Sequence, residues 1–110
     1  MKPIMIPPNY VHTRSTPFWT RDTAPPAIWS RHLDKGTRQG VYPRFCVMRG
    51  VIRYCGFANK DSPVPSETLT MSAGQFGIFP PETWHCIEAL TPNVLFNVDF
   101  FVDPQILLEE

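Results

Sequence analysis

Thirteen prolines and six glycines punctuate this chain of 110 residues. Proline lacks an amide donor and breaks helix interiors, and glycine weakens any regular element it interrupts. Long helices therefore find no room, and the chain divides into short segments. Within those segments apolar residues recur with the period of two that marks strands. Val41–Met48, Val51–Phe57, Thr68–Met71, Gln75–Phe79, Thr83–Glu88 and Val94–Val102 read as strands. Ala27–Leu33 also alternates, with Ile28, Ser30 and His32 on one side. Turn chemistry lies at Asp34-Lys-Gly36, Ser72-Ala-Gly74 and Thr91-Pro-Asn93. Arg49-Gly50 suits a two-residue hairpin, because glycine accepts positive φ, so Val51–Phe57 is expected to return antiparallel along Val41–Met48. Residues 1–26 hold six prolines and show no period, so they are expected to form an extended arm packed over the rest. Pro104 can open one helical turn. The sum is an all-β chain, read as a single-domain sandwich or jelly-roll barrel.

The length suits one domain. With 43% hydrophobic and 13% aromatic residues the composition is that of a folded core rather than a disordered chain. Ten basic residues balance ten acidic ones, so neither a nucleic-acid partner nor a membrane surface is expected. No apolar run approaches a membrane span or a secretory leader, and a cytoplasmic location is the expectation. Cys46, Cys55 and Cys86 are odd in number and form no C-x-x-C pair, so they read as reduced, packing cysteines.

The richest stretch for chemistry is Gly74-Gln-Phe-Gly-Ile-Phe-Pro-Pro-Glu-Thr-Trp-His85. A turn glycine leads into an apolar strand, two prolines bend the chain, and a histidine opens the next strand. This is similar to the second cupin motif, in which the histidine binds metal. The resemblance extends to His32-Leu-Asp-Lys-Gly-Thr37, Gly40-Val-Tyr-Pro-Arg44, Val47-Met-Arg-Gly50, Phe79-Pro-Pro-Glu-Thr-Trp-His-Cys-Ile-Glu88 and Phe96-Asn-Val-Asp-Phe-Phe101. In that order they resemble the TehB/YeaR-like family, and Asn9-Tyr-Val-His-Thr-Arg-Ser-Thr-Pro-Phe18 resembles its YeaR-type members. The resemblance implies a small cupin-type domain. A related domain precedes the methyltransferase of some tellurite-resistance proteins, which implies a role toward toxic oxyanions. This chain has no glycine-rich strand–turn–helix fingerprint, so methyl transfer itself is not expected.

The first cupin motif normally supplies two histidines and a glutamate before its glycine. Here only His32 stands in that region, 18 residues before Gly50, with Asp34 two positions on and no glutamate between. The expected metal ligands are His32, His85 and Asp34, with Glu82 or Asp99 as further candidates. Glu88, three residues from His85, is expected on the opposite face of its strand. If Thr91–Asn93 closes a hairpin, Asp99 comes near His85. Imidazole and carboxylate donors suit a divalent transition metal, zinc first, with iron, nickel or manganese as alternatives. Arg44, on an apolar strand, is a candidate donor to a small anion or metabolite. His12 lies in the arm and reads as a surface or interface residue. Phe96–Phe101 is apolar on both faces, and a homodimer is expected from it. Three functions follow: a metal-holding domain for a small ligand, a small metal-dependent oxygenase or isomerase, or a metal-free interaction module.

Overall fold

A computed structural model describes residues 4–33 and 40–105. Among these residues eight strands form two sheets. They are β1 (Val11–Ser15), β2 (Trp19–Thr20), β3 (Tyr42–Arg49), β4 (Val51–Phe57), β5 (Glu67–Ser72), β6 (Phe76–Ile78), β7 (Trp84–Ala89) and β8 (Leu95–Val102). One sheet runs β1-β8-β3-β6, with β2 also on β8, and the other runs β5-β4-β7. Every pairing is antiparallel. The sheets face each other over Phe45, Val47, Phe96, Val98 and Phe100 from one side and Ile52, Tyr54, Met71 and Ile87 from the other. Strand alternation produces this: along β3 every second residue from Pro43 to Val47 is buried. Among the described residues the sheets are separate ladders, an open sandwich rather than a closed barrel. No helix among them is long and apolar enough to cross a membrane.

Several expectations change. The Arg49-Gly50 step is not a hairpin. Gly50 does take positive φ, +69°, but β3 pairs with β8 and β6 while β4 pairs with β5 and β7. Gly50 is a corner that carries the chain from one sheet to the other. Thr91–Asn93 makes a similar crossing, from β7 to β8, so Asp99 is not beside His85 but opposite Arg44. The arm contributes β1 and β2, hydrogen-bonded to β8. β1 is exposed at all five positions, so no burial constrains its side chains to alternate, and the sequence carries no strand period there. Ala27–Leu33 is not one strand. Pro26–Trp29 forms a 3-10 helix, since Pro25 and Pro26 fix φ in the range a first helical turn needs. Only the bridge at His32 is strand-like.

Candidate functional site

The double-proline bend is the corner from β6 to β7. β6 ends at Ile78, and Pro80 and Pro81 have no amide to continue a ladder. Glu82 follows with φ of +53°, a left-handed conformation uncommon outside glycine, and completes the turn into the second sheet. β7 then opens, and alternation points His85 into the sandwich, where it is 7% exposed.

His32 joins the outer edge of β7. Its amide donates to the His85 carbonyl and the His85 amide donates back, both at 2.9 Å. The two rings lie 4.4 Å apart between centroids. Neighbouring Arg31 fixes the segment in place. Its guanidinium donates to the carbonyls of Lys60 and Ser62 at 2.8 and 2.7 Å and lies 3.5 Å over the Phe57 ring. On its other flank His85 stacks on Tyr54, 5.4 Å between centroids, and Tyr54 stacks in turn on Phe79 at 3.6 Å. Burial pushes the Tyr54 hydroxyl well above the usual phenol range, so it stays neutral.

Each imidazole makes a bond that sets its tautomer. His32 Nδ1 lies 2.9 Å from the Ser30 carbonyl and His85 Nδ1 lies 2.6 Å from that of Thr83. A carbonyl only accepts, so Nδ1 carries the proton in both rings and the neutral ring's lone pair sits on Nε2. Histidines that hold metals are oriented in this way. Both rings border a small cavity of about 40 Å³ with Ile28, Phe45, Val98 and Phe100. That is room for one ion or water rather than a metabolite.

The other candidates lie elsewhere. Arg44 is on β3 but points away from this cavity, because its neighbours Pro43 and Phe45 point into it. On the outer face Arg44 donates to Asp99 Oδ2 at 2.9 Å. Burial alone would raise the Asp99 carboxyl, but the Ser15 hydroxyl and the Arg44 guanidinium outweigh it and hold it below the usual range. Cys46 sits beside this pair, 3.6 Å from Asp99, and burial followed by the Asp99 charge pushes its thiol up. Glu88 lies on the opposite face from His85. Asp34 lies outside the described residues, and among those described no group of three His, Cys, Asp or Glu side chains gathers to hold an ion. His12 is on exposed β1, its Nε2 2.7 Å from Ser15 Oγ. Sequence reasoning missed Arg31 and Tyr54. Tyr54 was within reach, since it falls on the inward positions of β4, whereas the Arg31 clamp depends on a loop that no spacing connects to it.

Known proteins match over most of this length. The sequence profile of the TehB-like domain matches residues 14–98. Uncharacterized protein YeaR of Escherichia coli K12 is 57% identical over 106 residues, which cover 96% of this chain and 89% of that protein. A crystal structure of an Escherichia coli K12 protein, also 57% identical, superimposes with a TM-score of 0.88 over 92% of this chain and 89% of that one. TehB from Haemophilus influenzae superimposes with a TM-score of 0.74 over 87% of this chain and 32% of that one. At 18% identity the last is a likeness of fold. Shared sequence and shared architecture agree: this chain belongs to the TehB-like domain family.

Proposed function

We propose that this TehB-like domain holds a divalent transition metal through His32 and His85 and presents it to a small anionic ligand, as part of a response to toxic oxyanions. The observation that carries the reading is the paired histidine bridge, with both Nδ1 atoms committed to backbone carbonyls. Two imidazoles, each with its Nδ1–H on a backbone carbonyl and both bordering an ion-sized cavity, are a donor pair that suits zinc, iron or nickel. Fewer protein ligands than the metal can accept leave positions for water or an oxyanion. Asp34, two residues beyond His32, is the third ligand proposed. Arg44 is a weak anion donor, since Asp99 already compensates its charge. We read the open sandwich as a cupin-type jelly roll, which its repeated crossings between sheets support. The oxyanion role rests on kinship with TehB.

The test is zinc uptake by tag-free protein, read by elemental analysis after dialysis, for wild type, His32→Ala, His85→Ala and Arg44→Gln. The expected result is near-stoichiometric metal in wild type and Arg44→Gln, and its loss in both histidine variants. Wild type that takes up no zinc, iron, nickel or manganese sinks the proposal. That outcome would favour a metal-free interaction module, for which the packing of His85 between Tyr54 and His32 already provides a structural role.

A further inference from the structure

Cys55 and Cys86 are direct partners in the antiparallel ladder of β4 and β7. The inward residues of these strands are Tyr54 and Ile87, so alternation places both thiols on the outer face of the second sheet. The backbone fixes their spacing. His85 spends its amide and carbonyl on His32, away from β4. The next residue, Cys86, therefore turns its own amide and carbonyl toward Cys55, and such a hydrogen-bonded pair has Cα atoms about 5.5 Å apart. A disulfide spans about 4.4–6.8 Å between Cα atoms. Both cysteines are free thiols. Cys46 lies on the other sheet.

We infer that Cys55 and Cys86 form a reversible cross-strand disulfide by exchange with a low-molecular-weight disulfide. Cys86 is the first nucleophile, because it is half-buried while Cys55 is 4% exposed. Its thiolate attacks one sulfur of the reagent, forms a mixed disulfide and releases one thiolate. Cys55 donates its S–H to Glu88 Oε1 at 2.9 Å. On losing that proton to solvent, its sulfur attacks Cys86 Sγ and expels the second thiolate. Two protein thiols become one disulfide, and the reagent disulfide is reduced to two thiols. The bond would tie β7 to β4 one residue from His85 and one from Tyr54.

Folded protein is titrated with oxidised and reduced glutathione, quenched by alkylation and mapped by mass spectrometry. The expected result is a fall from three alkylatable cysteines to one, Cys46, with a Cys55–Cys86 cross-linked peptide that reductant removes. Cys46→Ala closes equally well, whereas Cys55→Ala and Cys86→Ala lose the cross-link. Three reactive thiols in fully oxidised glutathione overturn the inference. So does a persistent glutathione adduct on Cys86, or a cross-link that forms only in urea. The wild-type map decides the matter even where a cysteine variant fails to fold.

Discussion

Substituting Gly50 by alanine tests the sheet-to-sheet corner directly, and Gly74 provides the control. Both glycines take positive φ, +69° and +87°. An alanine in that region costs roughly 1–2 kcal/mol from its Cβ against the backbone. At Gly74 a Cβ meets nothing within 4 Å, so Gly74→Ala should lose only that amount. At Gly50 it meets Thr91 Oγ1, Asn93 Oδ1 at 2.9 Å and Val94 Cα at 3.1 Å. Two of these do not yield easily: Thr91 Oγ1 accepts the Val51 amide at 3.0 Å, and Val94 Cα is backbone in a residue 2% exposed. Overpacking of that kind adds about 1–3 kcal/mol. Gly50→Ala should therefore lose about 2–5 kcal/mol. Urea unfolding at neutral pH measures both variants, with unchanged m-values showing that midpoint shifts report stability. A difference between the two variants below about 0.5 kcal/mol would refute the claim that the corner is closed by contact with the β7–β8 turn.

Phe96 is fully buried and meets the edges of both Trp19 and Trp29, so Phe96→Ala should cost about 3–5 kcal/mol by chemical denaturation. Asp99→Asn should cost about 1–3 kcal/mol at pH 7. The folded Asp99 carboxyl sits below its ordinary 3.8, so its contribution is present above that value and is lost as pH falls through the folded one. The variant and wild type should then converge in acid, and an equal gap at pH 7 and pH 2 would contradict the assignment. Burial pushes the Cys55 thiol up to about 12 from 9.0, so the stability tied to its neutral form holds below pH 9 and drains away as pH rises toward 12. Cys55→Ala should flatten that alkaline decline, and an unchanged slope would remove Cys55 as its cause. Glu88→Gln should speed glutathione-driven closure of the Cys55–Cys86 pair several-fold, since the carboxylate opposes thiolate formation; an unchanged rate would leave Glu88 without that role.

The strands from β3 to β8 were legible because each buries one face, which forces a period of two on residues such as Phe45 and Val47 or Tyr54 and Ile52. β1 was not, since backbone bonds hold it to β8 and its side chains face solvent. Strand neighbours were not legible: the two hairpins expected, at Arg49-Gly50 and Thr91–Asn93, both turn out to cross between sheets. Gly50 shows why: positive φ serves a hairpin and a corner equally, and the residues that distinguish them, Thr91 and Asn93, lie some 40 positions away. The meeting of His32 with His85 was foreseen through the resemblance, whereas the separation of Arg44 from them follows from one step of alternation along β3. The Cys55–Cys86 pairing escaped notice because spacing in sequence carries no record of register between β4 and β7.

β8 lies between β3 on one side and β1 with β2 on the other, yet among the described residues it is the last strand to be made. A chain growing from its N-terminus has β1, β2 and β3 long before the strand that joins them exists. Among the described residues, until 95–102 arrive, β3 has only the three-residue β6 as its partner in that sheet, and the arm has none there. Completion of this sheet therefore waits for residues 95–102, and the apolar segments made before them wait with open edges. Pairing across such distances is slow, on the millisecond-to-second scale of sheet proteins. The prolines of the arm and the exposed face of β1 acquire a second use in that interval, because they make the arm a poor template for another chain.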